Sequence, residues 1–158
     1  GLTLNLESLS PGEYHMKYAI VSVYKEGAQL GARVKAGISG EGTLYERKDG
    51  ASGKEAVYFT RTLALTADIF SCYDGILFIM ASGIAVRAIA PHVVSKASDP
   101  AVLVMDECGK HCVSLLSGHL GGANAWAREV SAAWGPIPSS RRRPMSMTAA
   151  RRMISPVS

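Results

Sequence analysis

The sequence predicts an α/β protein: an open, mainly parallel sheet with helices on both faces and a Gly-rich strand-to-helix turn that binds a ligand. Three observations predict it. Apolar runs of strand length alternate along the chain with segments of helical spacing. Residues 75–81 (GILFIMA) and 101–106 (AVLVMD) are apolar almost throughout and do not alternate with polar residues, as strands covered on both faces require. Residues 114–126 (SLLSGHLGGANAW) carry an apolar strand end through a turn with three glycines into a helix.

The elements follow in order. Residues 1–15 contain Ser-Pro-Gly and no clear period, and read as a leader of low structural content. Residues 17–24 (KYAIVSVY) are β-rich and apolar, a first buried strand. Residues 26–37 place Ala28, Leu30, Ala32 and Val34 at helical spacing, with Gly37 as a stop. Residues 43–47 suggest a short strand and 49–54 a polar loop. Residues 60–73 read as an amphipathic helix through Leu63, Leu65, Ile69 and Phe70. After the strand at 75–81, Ser82 offers an N-cap to a helix from Gly83 to about His92. Asp99-Pro100 is a turn before the strand at 101–106, and residues 107–110 turn the chain into a short strand at 111–115. The Gly-rich turn and a helix reaching Trp134 complete the ordered part. Ligands of such sheets bind at the carboxyl ends of strands, and Ser82-Gly83 and residues 117–122 are both expected there.

Composition narrows the function. A chain of 158 residues, 47% hydrophobic, suits one domain of ordinary size. No apolar run is long enough to span a bilayer, and residues 1–15 lack the basic start and apolar block of a signal peptide. Three cysteines without framework spacing point to a reducing cytoplasm. The net charge of +4 comes from residues 136–158, which hold five arginines and no acid; the rest has 12 basic and 13 acidic residues. A nucleic-acid partner would therefore rest on the tail alone.

Within the turn, Gly118, Gly121 and Gly122 keep side chains away from an approaching ligand. The helix that follows opens with free N–H groups that suit an anion. His119 lies in the turn and Asn124 on the first helical turn. The arrangement points to an acidic ligand. The alternative is a tight strand–helix connection with no ligand.

The stretch from residue 74 to 134 also resembles the N-terminal region of the CbiG family, the cobalt-precorrin-5A hydrolases of cobalamin biosynthesis. The residues that carry the resemblance are the apolar strand, Gly83-Ile-Ala-Val-Arg87, Lys96 ahead of Asp-Pro-Ala-Val at 99–102, Asp106-Glu107, and Leu-Leu-Ser-Gly-His-Leu-Gly-Gly-Ala-Asn at 115–124. The resemblance implies opening of the ring A δ-lactone of cobalt-precorrin-5A and loss of the two-carbon fragment as acetaldehyde, giving cobalt-precorrin-5B. The expected partner is that macrocycle, which brings its own cobalt, so no resident cofactor is expected. A homodimer is expected as an option; a membrane partner is not. The resemblance implies that full-length relatives carry a further middle region and a C-terminal domain, and the expectation is that this chain corresponds to their N-terminal region alone.

The resemblance assigns tasks. His119 would polarise the lactone carbonyl or bond a substrate carboxylate, being the side chain that exchanges protons near neutral pH. Its alternative is a backbone hydrogen bond. Ser82 and Gly83, with Gly118, Gly121, Gly122 and Asn124, would line the ligand. Arg87 and Lys96 would clamp carboxylates, or else sit on a solvated helix face and loop. Ser117 lacks the Gly-x-Ser-x-Gly frame of a nucleophile and reads better as an N-cap. Asp106 and Glu107 could activate water, or simply make a hairpin turn. Cys108, His111 and Cys112 lack a second ligand pair, so no metal site is expected. A non-catalytic tetrapyrrole-binding or structural domain is the rival reading. A nucleotide-binding domain is weaker, because the Walker lysine and G-x-G-x-x-G are missing.

Beyond the last helix the resemblance breaks. Relatives typically continue Pro-Val-Ile-Thr-Thr-Ala-Thr-Asp-Val-Asn, whereas residues 138–147 read PSSRRRPMSM. The nucleotides CCC GTC ATC ACG ACG GCG ACC GAT GTC AAT G encode the first string as spaced. Read one base later they encode the second, residue for residue. The expectation is that the chain leaves the family's reading frame near residues 136–138 and that the remainder is disordered.

Overall fold

The computed structural model describes residues 16–51, 55–120 and 122–134. The expected leader (1–15), the tail (136–158) and Gly121 lie outside the described residues.

The order is β1 (Lys17–Ser22), α1 (Lys25–Gly37), β2 (Glu41–Arg47), a 3₁₀ turn (Lys48–Gly50), β3 (Val57–Phe59), α2 (Thr62–Ile69), β4 (Gly75–Ile79), α3 (Ser82–Ile89), a second 3₁₀ turn (Ala90–His92), β5 (Ala101–Met105), β6 (Cys112–Ser117) and α4 (Ala123–Trp134). The strands form one sheet in the order β3-β2-β1-β4-β5-β6. All pair in parallel except β6, which runs antiparallel to β5. The predicted class holds.

Two apolar layers hold the sheet between its helices. On one face Tyr18, Ile20, Leu77, Leu103 and Met105 meet Leu30 and Val34 of α1 and Trp126 and Val130 of α4. On the other, Val21, Ile76, Phe78 and Val104 meet Ile69 of α2 and Ala85 and Ile89 of α3. Every residue of β4 and β5 is buried, which explains why their sequences show no polar alternation. Each large side chain so buried contributes about 1.5–3 kcal/mol.

The elements differ from expectation in four places. β3 was not expected; three residues carry no readable period, and their pairing with Tyr45–Arg47 of β2 is non-local. The helix expected over 60–73 is shorter, because Asp74 turns the chain into β4, its carboxylate and main-chain N–H both bonding the Lys17 backbone. Ser82 is the first residue of α3, and the cap position is Ala81, which makes no side-chain capping bond. Ser117 ends β6, six residues ahead of α4, too far upstream to cap that helix.

The largest correction concerns direction. Residues 106–111 make a tight turn, with the Asp106 N–H on the His111 carbonyl and the Gly109 N–H on the Asp106 carbonyl. A connection this short joins only antiparallel strands. β6 therefore runs back toward the start of β5, and Ser117 pairs with Ala101. The Gly-rich turn lies at the amino ends of β4 and β5, not at the carboxyl ends where it was expected. Ser82-Gly83 does lie at the carboxyl end of β4.

Candidate functional site

Apart from Arg87 and the undescribed Gly121, the expected site residues divide between the two ends of the sheet, separated by the length of β5, on the order of 15 Å.

At the carboxyl end are Ser82, Gly83, Asp106 and Glu107. The strand order reverses between β1 and β4, so this is the topological switch point of the sheet. Gly83 is exposed, and open space surrounds the position a Cβ would take. Asp106 is engaged in the turn. Its Oδ1 accepts the Lys110 N–H at 3.0 Å, and its Oδ2 lies 3.1 Å from His111 Nδ1. Burial pulls its pKa upward, but hydrogen bonds from the Lys110 backbone, the His111 ring and the His111 and Cys108 backbone outweigh that and hold it below the ordinary aspartate value. A carboxylate held ionised in this way is a weak base, so the turn-forming alternative accounts for Asp106 better than activation of water. The pairing with His111 was not anticipated; Asp followed five residues later by His across a Gly-containing turn was the available signal.

At the amino end the loop after α3 meets the end of β6. A groove of about 400 Å³ is lined by Val93, Val94, Ser95, Lys96 and Asp99 on one side and Leu115, Leu116, Ser117 and Gly118 on the other. Lys96, Ser117 and Gly118 are thus brought together. Gly118 has φ +78°, and a Cβ there would meet the Ala101 backbone N at 2.8 Å. Only glycine lets the turn press this closely on the start of β5. His119 follows directly, an exposed residue whose Nδ1 lies 2.8 Å from the main-chain oxygen of Asp99. A carbonyl only accepts, so Nδ1 carries the proton and Nε2 of the neutral ring is left with its lone pair. Gly122 lies in the turn that opens α4, its carbonyl accepting from the Trp126 N–H, and Asn124 is exposed on the first turn of that helix. Arg87 joins neither group; it is exposed along α3.

Sequence reasoning missed Asp99. It is 6% exposed, and both carboxylate oxygens accept from the Val94 N–H, at 3.0 and 3.2 Å. The Asp-Pro dipeptide signalled only a turn.

The groove offers one cation, Lys96, which has no ion-pair partner among the described residues, beside the hydroxyls of Ser95 and Ser117, and His119 follows Gly118 directly in the chain. That set suits a ligand with carboxylates and a carbonyl open to attack. Among the described residues, no group of three or more His, Cys, Asp or Glu is placed to hold a metal ion. No helix there is long and apolar enough to cross a membrane.

Residues 64–138 match the family described as Cobalamin synthesis G N-terminal, a span that takes in both ends of the sheet described above. The chain is 55% identical over 69 residues to the cobalt-precorrin-5A hydrolase of Salmonella typhimurium, covering 44% of this chain and 20% of that protein. It is 36% identical over 121 residues to the cobalt-precorrin-5A hydrolase of Priestia megaterium, covering 73% of this chain and 32% of that one. The chain thus spans a fifth to a third of the length of these curated relatives. The crystal structure of a cobalamin biosynthesis protein G homolog from Sulfolobus solfataricus superposes with a TM-score of 0.53 at 27% identity, over 85% of this chain and 38% of that one.

Proposed function

We propose that this chain, which carries a CbiG N-terminal region, is the N-terminal domain of a cobalt-precorrin-5A hydrolase and contributes the groove lined by Lys96, Ser117 and Gly118, with His119 next in the chain, to macrocycle binding and lactone opening. The observation that carries the reading is the 55% identity to a protein of that name. In this reading Lys96 pairs with a carboxylate of the macrocycle. Ser117 and the backbone beside Gly118 and Gly122 lie against it, and Asn124 bonds a further acid group. Water adds to the lactone carbonyl carbon while its proton passes to His119 Nε2. The ring C–O bond then breaks, and the proton returns to the departing alkoxide. The freed alcohol next loses its proton as the carbon–carbon bond to the macrocycle breaks. Acetaldehyde leaves, and the macrocycle keeps the electron pair and takes a proton. Cobalt enters with the substrate. Ser82, Gly83, Arg87 and Glu107 serve the same ligand only if it reaches around the sheet edge.

The three free thiols support placing the reaction in the cytoplasm. The outer edge of β6, uncharged from Cys112 to Ser117 and half-exposed at Val113, supports homodimerisation by edge pairing. A frame change near residues 136–138 is supported by the out-of-frame reading of residues 138–147; sequencing the gene across codons 130–158 tests it.

The test of function is to mix the chain with cobalt-precorrin-5A and record both the corrinoid absorption spectrum and acetaldehyde. A spectral shift on binding is expected, with acetaldehyde released once the reading frame is restored through the remaining domains. No shift with either protein would overturn the proposal. The rival reading is a non-catalytic tetrapyrrole-binding module. Binding with no acetaldehyde from the restored protein would select it.

A further inference from the structure

We infer that Asp99 is a positioning residue for His119: its carboxylate ties off the loop that carries Lys96, and its carbonyl holds the imidazole as the Nδ1–H tautomer, so that Nε2 is the proton acceptor. The inference deepens the proposed function and rests on it for the identity of the substrate.

The loop from Val94 to Asp99 closes on itself. The Asp99 carboxylate takes the Val94 N–H, and the Asp99 N–H donates to the Ser95 carbonyl at 3.0 Å. The Ser98 N–H donates to the same carbonyl at 3.2 Å, and Ser95 Oγ accepts from the Ala97 N–H. Lys96 therefore sits within a hydrogen-bonded ring rather than on a free loop. The buried carboxylate is the closing tie, since it is the side chain that spans both ends of the segment. Pro100 follows at once and fixes the approach to β5. The Asp99 carbonyl is thereby aimed outward at His119, twenty residues later in the chain.

A backbone carbonyl on Nδ1 is the usual device for choosing which imidazole nitrogen acts. Here it leaves Nε2 as the nitrogen with the free lone pair and makes the aim of the ring depend on the same loop that presents Lys96. One residue thus sets both the cation and the base. The substrate class this favours is a carboxylate-bearing ester or lactone, whose acid group and carbonyl are bound together.

The test is ¹⁵N-edited NMR of the full chain with labelled histidine, at a pH where the ring is neutral, for wild type, Asp99→Asn and Asp99→Ala. Wild type should show the proton of His119 on Nδ1. Asp99→Asn keeps an oxygen for the Val94 N–H and should keep that signature. Asp99→Ala should lose it to a mixture of tautomers. A wild-type proton on Nε2 overturns the inference without any variant. An Asp99→Ala spectrum with the Nδ1–H signature intact overturns it as well. A purely structural role for Asp99 would change amide dispersion and melting but leave the His119 tautomer alone. The result is separate from the function test, because the tautomer is read without substrate.

Discussion

Ser117, the last residue of β6, is paired with Ala101, the first residue of β5. That pairing sets Gly118 against the Ala101 backbone and delivers His119 to the Asp99 carbonyl. It also gathers the sequence motif from 115 to 124 at the amino ends of the strands. Sheets of this strand order commonly bind ligands at the other end, so the placement of the groove is a property of this hairpin.

Gly118→Ala should destabilise the protein. The residue sits at φ +78°, and the added Cβ would stand 2.8 Å from the Ala101 N. The left-handed conformation alone costs a non-glycine residue about 1–2 kcal/mol. The melting temperature should fall by several degrees, and Gly118→Asn should fall less than Gly118→Val because asparagine tolerates this region.

Gly75→Val should be more damaging to the core than its position on a strand suggests. A Cβ at Gly75 would lie 2.8 Å from the six-membered ring of Trp126, which is buried and packed against Tyr18 with the rings tilted and their centroids 5.9 Å apart. Overpacking of this kind costs about 1–3 kcal/mol. Denaturant midpoints would report it, with weaker tryptophan near-UV ellipticity as the local sign.

Asp106 should make the protein sensitive to acid. Its carboxyl is held below its ordinary value of 3.8, so the folded state binds its proton less readily than the unfolded state. Stability from this group is therefore full above the ordinary aspartate range and is lost as the pH falls through the folded-state value. Asp106→Asn should flatten the acid limb of a stability–pH curve while leaving the neutral region less affected. An unchanged acid limb would show that the contacts to Lys110 and His111 do not favour the ionised form.

His119→Ala, placed in a full-length enzyme, should lower kcat by about 10²-fold or more, the scale of losing a positioned acid–base group. His119→Asn should retain part of the activity if the ring only donates a hydrogen bond, and little if it moves a proton. Undiminished turnover in both would place the chemistry outside this domain.

The sequence by itself determined the kinds of elements and the material of the core. Uninterrupted apolar runs at β4 and β5 are legible because burial on both faces leaves no polar position. The period of α1 is legible because one face of the helix packs and the other is wet. The glycine turn, with His119 in it, stood out because its glycines remove side chains where backbones must approach. Tertiary structure decided where these parts meet. Whether β6 ran with or against β5 set the end of the sheet that received the motif, and it was fixed by the hydrogen bonds of a six-residue turn. The β3 strand depended on pairing with β2 rather than on its own three residues. Asp99 and His119 are twenty residues apart, and each is unremarkable alone. Their relation exists only after the loop, the start of β5 and the end of β6 have packed, because a hydrogen bond between distant residues leaves no periodic trace along the chain.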